Sequence, residues 1–412
     1  MKRIAVSVGL VVVGATVVQA GPADSLSSMQ ASKPWSLSAA LRGFYDDNYA
    51  LDENNTRSSY GFEVRPSVTL NLPLEQTLIT GSYTYSLKYY EDRDRGNSNL
   101  CPIDQAHIFN VALTHAFSER YTIDVRDSLV AAQEPSLIDP NLSFVGRANA
   151  NTIRNTGSAT FQAELTPVLN GVLGYQNTLY DYEDSVRAAL LDRLEHQVKA
   201  EARWKVLPTT TAVGGYLFGM SDYTGSMAIA PGYVSSDRNV YSHTGYVGVD
   251  HAFTEALTGS VNVGAQYYDY YNTSEDSIAP YAEANLSYNY APGSFASIGF
   301  RHSRNATDQL AADSSGKITL DQETSVAFAS VNHQFTEKLK GSLTGQVQGS
   351  TFNKGAANDK TDMYYSLGLD LSYAFNPHVS ADVGYMFDNL DSDIALRSYT
   401  RNRVYIGVTA TY

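Results

Sequence analysis

From Trp35 to the terminal Tyr412 the chain alternates apolar and polar residues in runs of about ten, a period of two that belongs to the β-strand. In one run, Phe62, Val64, Pro66, Val68 and Leu70 fall on one face while Glu63, Arg65, Ser67 and Thr69 fall on the other. A soluble sandwich would turn the apolar faces onto a second apolar layer. The sequence offers no such layer, and the polar faces carry too much charge for a dry core. The remaining solution is a closed transmembrane barrel, with lipid outside and water inside, which leaves no strand edge unpaired.

The N-terminus agrees with a membrane destination. Lys2 and Arg3 precede an apolar stretch from Ile4 to about Val18, and Val18, Gln19 and Ala20 form a small-residue cleavage site, so residues 1–20 read as an export signal. Residues 21–34 read as a short periplasmic segment and 35–412 as the barrel, with no plug domain ahead of the first strand. No segment approaches the roughly 18 uninterrupted apolar residues of a spanning helix. The single cysteine, Cys101, lies in a polar loop and reads as a thiol without a role. Thirty tyrosines against two tryptophans suit a membrane interface, where a ring needs one apolar and one wet end.

Short and long connections take turns along the chain. Short ones lie near Pro73–Gln76, Ser118–Arg120, Thr166–Pro167, Pro208–Thr210, Thr254–Ala256, Pro292–Ser294, Thr336–Lys338 and Asn376–His378; longer, acidic ones include 46–59, 91–103, 134–153 and 305–321. This is the pattern of an antiparallel up-and-down barrel with periplasmic turns at one rim and extracellular loops at the other, built from about 18 strands, with 16 as the alternative. An internal repeat of roughly 40 residues marks the turns. His115-Ala-Phe-Ser-Glu119 recurs as His251-Ala-Phe-Thr-Glu255 and His333-Gln-Phe-Thr-Glu337, and more loosely at Tyr373–Pro377. Each copy ends a strand with an outward aromatic and then supplies a side chain that can bond turn backbone. The three histidines belong to strands far apart around the barrel and read as interfacial, not as metal ligands.

The export signal, the alternation, the acidic loops and the last strand, Val404 to Tyr412, resemble Gram-negative outer-membrane barrels. Tyr412, sharing a face with Ala410, Val408 and Ile406, resembles the aromatic-ending assembly signal of that class. Within it the chain is most similar to the putative beta-barrel porins, some of which accompany exopolysaccharide gene sets. The resemblance implies an outer-membrane location and, as partners, outer-membrane lipids and lipopolysaccharide, the barrel-assembly machinery, and small hydrophilic solutes or polysaccharide. Barrels of this kind are often trimers, so a homo-oligomer is among the expected assemblies.

Functional chemistry, if apolar residues face lipid, lies on the opposite face. Arg42, Arg65, Lys88, Arg401 and Arg403 become neighbours once the last strand pairs with the first, and read as a contiguous basic wall that would favour anionic solutes such as acidic sugars. The other inward charges are Glu63, Asp124, Arg126, Glu195, Lys199, Glu201, Arg203, Lys205, Asp250 and Glu283. Glu195, Gln197, Lys199, Glu201, Arg203 and Lys205 form the whole inner face of one strand, which no dry core would tolerate. Asp250 and Glu283 lie well around the barrel from the basic wall, so a transverse field is expected. Asp127 falls on the lipid face, where a bulge or a position above the hydrocarbon is expected. The acidic clusters Asp46/Asp47/Asp52/Glu53, Asp181/Glu183/Asp184 and Asp388/Asp391/Asp393 read as loops that account for most of the net charge of −14. The Glu134–Ile153 loop is the expected constriction.

The leading function is passive diffusion of small hydrophilic solutes. The alternative, export or docking of exopolysaccharide, would use inward tyrosines such as Tyr90, Tyr180, Tyr246, Tyr268, Tyr281 and Tyr364 as stacking surfaces. An outer-membrane hydrolase would need a serine, a histidine and an acid or amide on adjacent strands near the outer rim; His243 and His302 lie there without a recognisable nucleophile pattern. No enzyme activity, cofactor, metal or nucleic-acid partner is expected in an acidic chain without the corresponding motifs.

Overall fold

The computed structural model describes residues 33–93, 101–132, 151–225, 227–310 and 312–412. The proposed export signal and residues 134–150 of the expected constriction loop lie outside them. The first half of the chain forms β1 (Trp35–Asp46), β2 (Ser59–Pro73), β3 (Thr77–Tyr90), β4 (Ile103–Ala116), β5 (Tyr121–Ala132), β6 (Thr152–Thr166), β7 (Leu169–Tyr182), β8 (Arg193–Leu207) and β9 (Thr210–Tyr223). A short helix α1 (Ser185–Leu191) joins β7 to β8, and a small hairpin, β10 (Ala228–Ala230) and β11 (Tyr233–Val234), follows β9. The chain then continues through β12 (Val240–Ala252), β13 (Leu257–Tyr270), β14 (Glu275–Ala291), β15 (Ser294–Asn305), β16 (Asp321–Gln334), β17 (Leu339–Asn353), β18 (Thr361–Asn376), β19 (Val379–Ser392) and β20 (Tyr399–Thr411).

Apart from the β10–β11 hairpin, every strand pairs antiparallel with its neighbours in the chain, and β9 pairs with β12. The ladder closes where Ala39 faces Ala410 and Arg42 faces Gly407, so β1 and β20 complete an 18-stranded barrel. The eight expected short turns all lie between the expected strands. Eighteen strands are wide enough to enclose an aqueous lumen.

The alternation decides which face is which. Leu37, Leu41, Val64, Val68, Leu173, Val247, Ile298 and Ile406 are exposed on the outer face, where a soluble protein would have buried them. Phe117, Phe253, Phe335 and Phe375 are exposed at the periplasmic strand ends and form that rim's girdle. Their repeat has a common geometry: His115, His251 and His333 each meet the following Phe edge-on with ring centroids 4.6 Å apart. Their Nδ1 atoms hydrogen-bond Thr77, Thr210 and Tyr290 at 2.8–2.9 Å. The hydroxyls of Thr254 and Thr336 accept turn amides two and three residues on, at 3.0–3.2 Å, which satisfies backbone that has left the ladder.

The bulge that was one of the two expectations at Asp127 is absent. β5 keeps an unbroken register on both sides with no bulge, and the Asn155 side-chain amide of β6 donates to both carboxylate oxygens at 3.2 Å. The outward carboxylate is thus satisfied by a cross-strand neighbour.

Candidate functional site: the lumen and its outer plug

The side chains that close the barrel are also its most densely charged. Arg42 Nε of β1 donates to Asp382 of β19 at 2.8 Å, its guanidinium lies 3.9 Å from Glu63 of β2, and it covers the Tyr405 ring of β20 at 4.8 Å. Arg403 donates to Asp46 at 3.0 Å and Arg401 to Asp388 at 3.0 Å. Tyr405 donates to Asp370 at 2.5 Å and Ser86 to Glu63 at 2.5 Å. Arg65 and Lys88 are half-buried on the same inner surface. Of the five cations of the expected basic wall, Arg42, Arg401 and Arg403 are ion-paired with Glu63, Asp382, Asp388 and Asp46, while Arg65 and Lys88 act electrostatically on Glu63; with Asp370 these groups form a seam of mixed sign. Burial explains the pairing, since charges removed from water need counter-charges and hydrogen bonds.

Two of those carboxylates were assigned to loops by sequence. Asp46 is the last residue of β1 and Asp388 lies inside β19, both buried on the inner face. Asp388 shares the parity of Asp382 and Asp46 that of Arg42, a signal present in the sequence, but both were assigned to loops because each lies near the extracellular end of its strand.

On the far wall the β8 ladder faces inward as expected. Lys199 meets Glu201 at 2.7 Å, Glu201 meets Arg203 at 3.3 Å, and Arg203 reaches Asp250 on β12. Arg301 of β15 pairs with Glu283 of β14 at 3.3 Å, and Glu195 with Arg193 at 2.7 Å. Asp250 and Glu283 are thus compensated where they stand, which removes the main source of a transverse field. Asp124 holds Arg126 at 2.6 Å, and Arg126 and Lys205 are exposed toward the lumen.

The lumen is asymmetric along its axis. The twelve largest fully buried side chains, among them Tyr90, Thr244, Thr324, Phe352, Tyr364, Asp388 and Leu390, all lie in the extracellular loops or within four residues of the extracellular strand ends. What covers them is a plug of inward-folded loops. Ile318 and Leu320 of the β15–β16 loop and Ala230 of the β10–β11 hairpin pack against Tyr268 and Tyr270 of β13. Asp308 of that loop receives two hydrogen bonds from Arg397, at 2.7 and 3.2 Å, while Arg397 Nε donates to Asp362 at 2.7 Å. Arg238 donates to the Thr307 carbonyl at 3.2 Å and to the Leu190 carbonyl, and covers the Tyr223 ring at 3.9 Å.

Burial lowers the pKa of Arg238. For Arg397, burial acts the same way, but Asp308 and Asp362 outweigh it and raise the pKa. The plug ties the β15–β16 loop to α1, to the segment before β12 and to the β19–β20 loop. Sequence reading missed it because Asp308, Arg238 and Arg397 follow no period.

Two further expectations meet the structure here. The six inward tyrosines all have protein partners: Tyr90 lies under Arg93 at 3.9 Å and Tyr180 under Arg193 at 3.7 Å, while Tyr246, Tyr268, Tyr281 and Tyr364 donate to Glu201, the Arg304 carbonyl, Glu283 and Asp388. His302 does lie beside a serine and an acid, Ser325 Oγ at 2.8 Å from Nδ1 and Glu323 at 3.3 Å from Nε2. Ser325 pairs with His302 on one side and Gly349 on the other, so strand amides there belong to the ladder and none is left to hold an oxyanion. Among the described residues no group of three His, Cys, Asp or Glu side chains could hold a metal ion.

Residues 279–412 match the family described as "Putative beta-barrel porin 2". That match covers the C-terminal third of the barrel. The matched stretch takes in most of β14 and all of β15 to β20, including half of the ion-paired seam. Among solved structures, the chain is similar to a BenF-like porin from Pseudomonas fluorescens at 10% identity, over 92% of this chain and 99% of that one, with a TM-score of 0.45. It is similar to the outer membrane protein opdK from Pseudomonas aeruginosa at 9% identity, over 92% and 99%, with a TM-score of 0.42. The FrpB iron transporter from Neisseria meningitidis aligns at 10% identity, over 92% and 82%, with a TM-score of 0.44. None of the curated proteins matches. The barrel lies in the outer membrane, with its girdled apolar face toward lipid.

Proposed function

We propose that the barrel is a passive diffusion channel for small hydrophilic solutes, with no chemistry of its own. Its path runs from a wet periplasmic vestibule to an outer mouth narrowed by the plug. One observation carries this reading: the inner face of a closed 18-stranded wall bears exposed charges such as Lys205 and the Arg126–Asp124 pair as well as buried ion pairs. Only a water-filled interior accommodates the former. An exopolysaccharide conduit gains no comparable support, since its candidate stacking tyrosines are committed to protein partners.

Partners belong to the same reading. The outer aromatic faces take up outer-membrane lipid and lipopolysaccharide. Tyr412, exposed with its ring 6.0 Å from Trp35 and under Lys33 at 4.8 Å, is the strand end for the barrel-assembly machinery to engage. Single-channel recording of the refolded barrel in a planar bilayer tests the channel. A small, stable KCl conductance is expected; a barrel that stays closed at every voltage overturns it.

A further inference from the structure

Between the two ion-paired walls, β16 and β17 present inner faces of a different kind. From Gln322 to Gln334 and from Ser342 to Ser350 the inward side chains are amides, hydroxyls and two apolar groups, with no charge among them. Along β17 the polar groups form a chain: Gln346 Nε2 donates to Gln348 Oε1 at 3.3 Å, and Gln348 Nε2 donates to Ser350 Oγ at 3.2 Å. Ser350 in turn shares a hydrogen bond with Thr324 of β16 at 3.4 Å. At the head of the chain the Gln346 Oε1 acceptor is buried and receives no hydrogen bond from the protein. The hydroxyl-bearing Ser366 of β18 stands directly opposite it. At the other end the chain meets a small recess lined by Gln322, Gln348, Ser350, Tyr364 and Leu390, with Asp362 and Arg397 of the plug, whose charges are paired at 2.7 Å.

We propose that this neutral stripe is the solute-binding track of the channel and that its solutes are uncharged polyhydroxylated molecules, neutral sugars above all. The proposal rests on the channel reading and names its substrate class. An orphan acceptor calls for a donor, which neither chloride nor a carboxylate can supply. A cation could supply one, but the stripe holds no carboxylate to offset the desolvation of a charge. A sugar hydroxyl donates to Gln346 Oε1 and accepts from the next amide or hydroxyl, and its neighbours repeat the exchange along the strand with no charge to desolvate. The fixed ions on both sides are already paired, so they add no competing pull.

Two measurements test the track. In proteoliposome swelling, glucose is expected to enter faster than glucosamine or glucuronate, which have nearly its size and opposite charges. Equal entry, or faster entry of either charged sugar, overturns the proposal. In isothermal titration of maltose into the detergent-solubilised barrel, saturable binding is expected. It should weaken about tenfold in Gln346→Leu, the equivalent of one lost hydrogen bond. Gln346→Glu keeps the shape and is expected to lose maltose binding too. Absence of binding in the natural barrel, or unchanged affinity in both variants that retain the folded gel mobility, overturns the track. The titration needs no conduction: a barrel that binds maltose but passes no KCl sinks the channel and spares the site, whereas one that conducts without binding does the reverse.

Discussion

Arg42 shows how much of the site a single residue discloses in advance. Its parity within β1 reveals that it points inward, because a strand's period is local. Its partner Asp382 lies 340 residues away, and no local pattern announces that pairing. The sign of the local surface therefore came out differently from expectation: the inward cations and Glu63 were legible by parity, whereas Asp46 and Asp388 read as loop residues and the pairing across the closure was not legible. Asp382→Ala leaves the buried guanidinium without its nearest counter-charge and is expected to destabilise the barrel by about 3 kcal/mol in urea unfolding from lipid vesicles. Arg42→Met with Asp382→Leu is expected to recover most of that loss, because an apolar pair leaves no ion uncompensated. A double variant as weak as the single one would show that the pair is not the interaction that matters.

At the scale of elements, strands and plug differ in how they are encoded. Each strand is specified by alternation along a dozen residues, and five periplasmic turns by Ser118, Thr166, Thr254, Thr336 or Asn376, whose side chains bond the turn's own backbone, so these were readable. The β15–β16 loop is held by partners on α1, the segment before β12 and the β19–β20 loop, which only the closed barrel brings together. Sequence reading placed the constriction at 134–153, largely outside the described residues, and gave no weight to 305–321 beyond its length and acidity. Asp308→Ala removes both hydrogen bonds from Arg397 and is expected to raise single-channel conductance about twofold, with strand content unchanged by circular dichroism. Unchanged conductance would mean that the narrowest passage lies elsewhere.

For the whole molecule, the balance of charge matters more than its amount. The net charge of −14 does not describe the path of a solute, because the described lumen charges sit largely in local pairs. A tenfold KCl gradient across a bilayer is accordingly expected to give a reversal potential within about 10 mV of zero. A value well toward the chloride limit would restore the basic wall as an electrostatic filter.

The same pairing bears on how the barrel comes into being. Asp382 and Arg403, carried on β19 and β20, are supplied last in the order of the chain, yet they complete Arg42 and Asp46 on β1. Until β20 docks on β1, the leading strand holds ions without these counter-ions, and bare ions resist entry into hydrocarbon. A half-zipped sheet is thus kept in contact with water by its own unfinished edge, and release into the bilayer becomes favourable only when the two ends of the polypeptide have met. The seam proofreads closure.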